Sequence, residues 1–289
     1  MNKCSLLTVT ALTLTLALAT PAQAEEIFAD SFESGDMSAT NSDGFNWGRN
    51  NRTSVVTSEA AVYNNKEIYN VPPGNPDWTP KTGEHSLRFR YASGEFMTEQ
   101  RFDLGAHYKD LWLSYWIRVP TNFVQGSLNS KFLSVWPSTY DREGTVTWNT
   151  RPNGTGGANL VVSDGGVTGK EDLPTLFIEV PSDRGRWMHV VAHIKSASGP
   201  EAHDGLIQLY RRWENESSYT TIHDKTTADT WDNTTSNQGI SQGYIFGWAN
   251  DAYDDDTEWL LDDFSLHTSS PINGEASSNR PKPPVLTLE

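Results

Sequence analysis

Arg186-Trp187-Met188-His189-Val190-Val191-Ala192-His193-Ile194-Lys195, followed after a polar turn by Asp204-Gly205-Leu206-Ile207-Gln208-Leu209-Tyr210, decides how the rest of the chain is read. Counted by twos, Met188, Val190, Ala192 and Ile194 are apolar, as the buried face of a strand requires. The opposite set is Trp187, His189, Val191, His193 and Lys195, which predicts an exposed face carrying an indole, two imidazoles and an ammonium. Asp204-Gly205 is a turn signal, and a second strand follows with Gln208 and Tyr210 on one face. Function is expected on or beside this hairpin.

Similar alternation recurs along the chain, in short runs rich in Val, Ile, Phe, Tyr and Trp that are split by Gly, Asn, Asp and Pro. Strands are predicted at Glu26–Phe32, Ser86–Tyr91, Met97–Phe102, Leu111–Val119, Lys131–Trp136, Thr145–Asn149, Asn159–Ser163, Thr175–Val180, Trp187–Lys195, Leu206–Trp213, Gln242–Ala249 and Trp259–His267. Helical periodicity is scarce. The fold class implied is all-β, two antiparallel sheets packed face to face or a barrel, in one domain over 25–269. Asn46 to Pro80 reads as a long ordered loop.

Before this domain, Lys3, an uncharged apolar run from Leu6 to Ala19, and Ala22-Gln23-Ala24 form a secretory signal with cleavage expected after Ala24. A secreted or periplasmic protein follows from that reading. The single cysteine, Cys4, lies within the signal, so disulfides are not expected to hold the domain. After Ser270 the chain is polar and Pro-rich and reads as a disordered tail.

Lys and Arg total 22 against 37 Asp and Glu, a net charge of −15 that becomes −16 once Lys3 is removed. Such a surface repels nucleic acid and anionic membranes, so neither is an expected partner. The few cations fall on the polar parity of the strands: Arg88 and Arg90, Trp116 and Arg118, His189, His193 and Lys195, Gln208 and Tyr210, with Lys131 or Trp136 also facing outward. Aromatic rings stack on the C–H faces of sugars, and Arg and Lys pair with carboxylates. An acidic polysaccharide is therefore the expected partner, for a protein acting as a monomer.

The chemistry such a face fits is β-elimination. It needs a base at the C5 proton, a donor to the leaving oxygen and a group that neutralises the uronate. His189 or His193 is the candidate base and Tyr210 the acid, or Tyr210 both. Arg88, Arg90, Arg118 or Gln208 would neutralise the carboxylate, with Trp116, Lys131 and Lys195 completing the binding set. No Glu-x-Asp-x-x-Glu, His-Glu-x-x-His or Gly-x-Ser-x-Gly occurs, which argues against glucanase, zinc and serine-nucleophile chemistry. A non-catalytic carbohydrate-binding module, or a structural domain, is the alternative.

Trp187-Met188-His189-Val190-Val191 followed by Asp204-Gly205-Leu206-Ile207-Gln208-Leu209-Tyr210 resembles the paired strands of concanavalin A-like jelly rolls. Leu111–Arg118 and Asn129-Ser130-Lys131-Phe132-Leu133 look closest to heparin-lyase-like or glucuronan-lyase-like members. The Arg-x-Glu-x-Arg, Gln-Ile-His and Tyr-Phe-Lys-x-Gly runs of the alginate lyase branch are missing. Phe32-Glu33-Ser34-Gly35 and Asp262-Asp263 resemble terminal strands that hold a structural Ca²⁺ in carbohydrate-binding jelly rolls. That resemblance makes Glu33 and Asp263 the expected ligands, in keeping with the oxygen preference of hard cations. The acidic run Asp251, Asp254, Asp255, Asp256 is a second possible calcium loop, or a solvated turn.

Overall fold

A computed structural model describes residues 24–64, 76–166 and 174–272, so the signal segment and most of the tail lie outside the described residues. Sixteen strands occur there. They are β1 (Glu26–Asp30), β2 (Asn46–Asn51), β3 (Thr53–Val56), β4 (Ala61–Asn64), β5 (Ser86–Tyr91), β6 (Met97–Tyr108), β7 (Asp110–Arg118) and β8 (Ser130–Trp136). The others are β9 (Val146–Pro152), β10 (Ala158–Ser163), β11 (Thr175–Ile178), β12 (Trp187–Lys195), β13 (Gly205–Trp213), β14 (Thr220–Ala228), β15 (Ile240–Trp248) and β16 (Thr257–His267). A nine-stranded sheet runs β14-β13-β12-β7-β16-β5-β3-β4, with β1 added on β16. A seven-stranded sheet runs β11-β10-β9-β8-β15-β6-β2. The result is an antiparallel two-sheet jelly-roll sandwich, one of the two arrangements that the alternation left open.

The apolar parities of the strands meet between the sheets. Met188, Val190, Ala192 and Ile194 of β12 and Leu111, Leu113, Tyr115 and Ile117 of β7 join one core with Phe102, Leu133, Trp148 and Leu160 of the smaller sheet. Each large apolar side chain so buried contributes roughly 1.5–3 kcal/mol relative to exposure. The chain ends close on each other, since β1 pairs with β16 from Phe28 opposite Leu266 to Asp30 opposite Phe264.

Two expectations are corrected. Asn46–Pro80 is not one long loop, because it supplies β2, β3 and β4. Asn46-Trp47-Gly48-Arg49-Asn50-Asn51 has little β propensity of its own. Pairing with β6 and burial of Trp47 in the core override it. Strand β14, Thr-Thr-Ile-His-Asp-Lys-Thr-Thr-Ala, lies at a sheet edge and carries too few apolar residues to register as a strand.

The second correction concerns the polar parity of β12. Trp187, His189 and Val191 are buried, although they point away from the core. A small apolar cluster of Val56, Trp78, Trp187 and Leu260, with Trp116 packed against it, lies apart from the main core. Trp78 belongs to a single 3-10 turn, Pro76–Trp78, laid over this part of the larger sheet.

Candidate functional site: two sheet faces

Nine of the ten expected catalytic and substrate-binding residues lie on strands of the larger sheet: Arg88 and Arg90 on β5, Trp116 and Arg118 on β7, His189, His193 and Lys195 on β12, and Gln208 and Tyr210 on β13. Register explains the grouping. His189 sits opposite Trp116 and His193 opposite Trp112 across β7, while His193 faces Gln208 across β13. Lys131 is the exception and belongs to β8 of the smaller sheet.

The grouped residues do not form the cationic surface that was expected, because acids from β16 and the flanking loops meet them. Arg88 is fully buried, with Nη1 3.3 Å from Glu258 Oε1, Nη2 donating to Ser54 Oγ at 3.2 Å, and its guanidinium 4.8 Å from the Trp78 ring. Trp78 Nε1 donates to the other oxygen of Glu258 at 2.6 Å, which closes the pair from above. Arg90 binds Asp256 Oδ2 through Nη2 at 2.6 Å. Arg118 donates to the carbonyls of Asp77 and Gly185. Asp256 of the acidic run is thus engaged in an ion pair.

The histidines are equally engaged. His193 stacks on Trp112 with centroids 3.8 Å apart, and Tyr210 lies parallel to the same indole at 6.3 Å. Its Nε2 meets Asp110 Oδ1 at 2.7 Å and its Nδ1 meets Gln208 Oε1 at 3.0 Å, so both ring nitrogens face acceptors. Gln208 is oriented by donating to Asp224 at 2.7 Å. His189 is buried under Tyr219, whose Oη lies 2.6 Å from Nδ1. Burial, then Arg212, His267 and Lys81, lowers its pKa to about 3, so it is neutral and weakly basic at neutral pH. The Tyr210 phenol is raised by burial and by Asp224, and Lys195 stands exposed at the strand end.

The outward face of the smaller sheet was not anticipated. On β6, Glu99, Arg101 and Asp103 alternate with the inward Gln100, Phe102 and Leu104. Arg101 Nε donates to Glu99 Oε1 at 2.7 Å. Its guanidinium lies 5.8 Å from the rings of Trp136 and Tyr140 and 5.9 Å from that of Tyr244. These aromatic rings contact one another in a triangle, with centroids between 5.3 and 5.6 Å apart. Tyr244 Oη donates to Tyr140 Oη at 3.0 Å. Trp136 Nε1 donates to Gln242, which in turn donates to Asp103.

Trp136 and Tyr244 are 2% exposed yet stand outside the main core cluster, covered on the outward side of the sheet by neighbours that include Arg101 and Tyr140. Lys131 joins this face. Gly247, at φ +152°, lies beside it, and a Cβ there would stand 3.1 Å from Lys131 Cβ and 3.4 Å from the Tyr244 ring. Opposite Lys131, Asn149 is 1% exposed and its Oδ1 has no hydrogen-bond partner. Burial raises both phenols. At Tyr140 the hydrogen bond from Tyr244 opposes that rise, Asp141 and Glu99 add to it and Arg101 opposes it, which leaves Tyr140 the less costly of the two to ionise.

The expected calcium ligands meet at one loop. Glu33 accepts from the backbone of Glu84 and His85 at 3.0 Å each, and Asp263 Oδ2 accepts from Thr82 Oγ1 at 3.1 Å. Between them Asp262 accepts from the amides of Lys81 and Thr82. Gly83 presses so close to Glu33 that a Cβ would collide with its carboxylate at 2.2 Å. The segment after β1 and the strand β16 are thus fastened to residues 81–85. No group of three His, Cys, Asp or Glu side chains able to hold a metal gathers among the described residues.

The fold is an antiparallel two-sheet β-sandwich of jelly-roll type. No family model matches the chain, and no curated protein matches it. Among solved structures it is similar to endo-β-1,4-glucuronan lyase from the fungus Trichoderma reesei, with TM-score 0.43 and 12% identity over 77% of this chain and 91% of that one. The binding domain of Paraclostridial Mosquitocidal Protein 1 aligns with TM-score 0.49 and 12% identity, covering 87% of this chain and 51% of that one. The binding domain of Botulinum Neurotoxin DC in complex with SialylT aligns with TM-score 0.47 and 12% identity over the same shares. The chain spans about half the length of these toxin domains. These likenesses concern sandwich architecture; the chemistry must be read from the two faces.

Proposed function

We propose that the protein is an exported, monomeric polysaccharide lyase that cleaves a uronic acid-containing polysaccharide by β-elimination on the outward face of the smaller sheet. The observation that carries this is the Tyr140–Tyr244 hydroxyl pair beside the Arg101 guanidinium. In the reaction a base removes the proton on the carbon next to the uronate carboxylate, a carbon–carbon double bond forms, and the glycosidic oxygen leaves with a proton. Arg101 and Lys131 are the cations that neutralise the carboxylate, with Asn149 Oδ1 as a further polar contact. Tyr140, the phenol on which charge is less costly, takes the proton in its phenolate form. Tyr244, which donates to it, supplies one to the leaving oxygen and regains a proton from Tyr140, which restores the phenolate.

Incubation with alginate, polygalacturonate, polyglucuronate and heparin, followed by ultraviolet absorbance of the unsaturated product, tests the reading. Product from one of them supports it. Retention of a polymer in affinity gels with no product leaves a carbohydrate-binding module in its place. Recovery of mature protein beginning at Glu25 from the periplasm or medium tests export.

A second reading keeps the sugar on the larger sheet, with His193 and Tyr210 as the reacting groups. The Trp112–His193–Tyr210 stack favours it, because parallel rings on a sheet suit a sugar face. Variants at Tyr210 and Tyr244 separate the two readings.

Calcium belongs to the proposal as a structural ion. Carboxylates keep lone pairs beyond those that the loop donors use. Glu33 and Asp263 would hold the ion, whose charge would tie the segment after β1 and the strand β16 to residues 81–85. A chelator is expected to lower the melting temperature by several degrees, and an unchanged melting temperature removes the ion.

A further inference from the structure

Phe96 and Trp248 stand out from the other rings among the described residues. Trp248 is 52% exposed and Phe96 38%, and they stack nearly parallel, with centroids 5.3 Å apart and planes 10° from each other. One face of the indole is thus backed while water covers much of the rest. The pair is held by strand pairing and not by a loose loop. Trp248 is opposite Met97 across β15 and β6, Ala249 N donates to the Phe96 carbonyl at 2.7 Å, and Ala249 bridges to Ser130. Asn250 N donates to the Asn129 carbonyl at 3.0 Å, which anchors the loop carrying the exposed Leu128.

The pair also continues the outward face of the smaller sheet. Along β15 the outward residues run Gln242, Tyr244 and then Gly247, whose missing side chain leaves room for Lys131 next to Trp248. Four residues of strand separate Tyr244 from Trp248, about 13 Å at the usual rise. That exceeds the width of one sugar ring. A polymer lying along β15 would therefore meet the phenols at one sugar and the indole at a different one.

We propose that Trp248, backed by Phe96, is a remote sugar-stacking subsite for the acidic polysaccharide, which makes the protein a binder of long chains over short ones. This rests on the lyase or binding reading of that face. Rigid, exposed, backed aromatic surface gives contact area at little entropic cost, and sugar C–H faces are its chemical complement. Lys131 beside it suits the charge of a uronate.

The test compares wild type with Trp248→Ala and Phe96→Ala, each checked for an unchanged melting temperature. Affinity is measured for alginate, polygalacturonate, polyglucuronate and heparin, and for the disaccharide released from each. For a polymer that the wild type binds, Trp248→Ala is expected to weaken binding about tenfold and Phe96→Ala less, with disaccharide binding unchanged. Polymer affinity unchanged in Trp248→Ala overturns the subsite while leaving the reading of the phenols intact. Equal losses for polymer and disaccharide also overturn it. A wild type that binds no polymer overturns the functional reading and the subsite together. Sedimentation supplies the remaining arm: a wild-type dimer that becomes monomeric in Trp248→Ala identifies the pair as a self-association surface and overturns the subsite.

Discussion

The outward faces of the two sheets hold the same kinds of residue and use them differently. On the larger sheet, Arg88, Arg90, Arg118 and His193 each meet a carboxylate or carbonyl contributed by another strand or loop. Those charges stitch Trp78 and its turn to the sheet. On the smaller sheet, Arg101 pairs with one acid but directs its guanidinium toward Trp136, Tyr140 and Tyr244, and its side chain remains 31% exposed. A cation whose partners are spread over several elements stabilises the fold. On the proposed reading, a cation set among phenols and partly exposed is the one that meets the ligand. Residue type alone does not distinguish the two; their neighbours do.

Removing one oxygen from the smaller face tests that contrast most severely. Tyr244→Phe keeps the ring packed against Trp136 and Tyr140 and loses only the hydroxyl. Cleavage of the responsive polyuronate is expected to fall by about 10²–10⁴-fold, the usual worth of a general acid or base, with polymer affinity nearly unchanged. Stability should drop by only about 1 kcal/mol, for one hydrogen bond. A Tyr244→Phe enzyme with full activity would remove the smaller face as the reaction site.

On the larger face the corresponding cut should strike folding. Glu258→Ala leaves Arg88 buried without its ion partner and Trp78 Nε1 without its acceptor, at an expected cost of about 3–5 kcal/mol in chemical denaturation. Replacing both partners by apolar residues, Arg88→Met with Glu258→Leu, should recover most of that loss. Polyuronate affinity, measured where the protein is folded, should stay at the wild-type value. A specific loss of affinity in the double variant would show that this pair serves the ligand.

The same face sets an acid limit. His189 and His267 are buried with pKa values lowered to about 3 and about 4, against 6.5 when exposed. Groups depressed in the folded state contribute stability that is present above pH 6.5 and is lost as pH falls toward 4 and 3. At about 1.4 kcal/mol per unit, His189 alone accounts for roughly 2–3 kcal/mol of loss between pH 6.5 and 4.5. The melting temperature should therefore fall over that interval, and His189→Gln should flatten the fall. An identical pH profile in the variant would mean that Tyr219 does not seal the imidazole from protons.

How much of this was readable depends on how far each residue's partner lies along the chain. The parity of Met188, Val190, Ala192 and Ile194 needs no distant information, and it placed β12 in a two-sheet core. The grouping of Arg88, Trp116, Arg118, His189 and Tyr210 on one sheet was not readable this way, because alternation gives the face of a strand a residue takes and not the sheet that the strand joins. Partners far away in sequence were invisible: Glu258 is 170 residues from Arg88, and Asp110 is 83 from His193. The smaller face was half legible. Glu99-x-Arg101-x-Asp103 and Gln242-x-Tyr244 carry the same period-two signal as β12, whereas Tyr140 stands in a turn without periodicity and reaches Arg101 only through folding.

Tyr210 and Tyr244 give the finest discrimination, because each is a phenol on the outward parity of a strand. Tyr210 lies parallel to Trp112, and burial and then Asp224 raise its pKa. Among the described residues no cation lies over its ring, whereas Tyr140, the base on the other face, has Arg101 at 5.8 Å. An ionised phenolate on the larger face would be opposed by Asp224, so Tyr210 is poorly placed to take a proton. Tyr210→Phe is therefore expected to leave the cleavage rate within twofold and stability within about 0.5 kcal/mol. The measurement is the same absorbance assay used for Tyr244→Phe, at matched polymer concentration. A hundredfold loss in Tyr210→Phe alongside an active Tyr244→Phe would transfer the reaction to the larger sheet, with the Trp112 stack as its sugar platform. Loss in both would require the polymer to reach across two faces that the core separates, and one hydroxyl would then have to act by holding structure, which its own melting temperature would reveal.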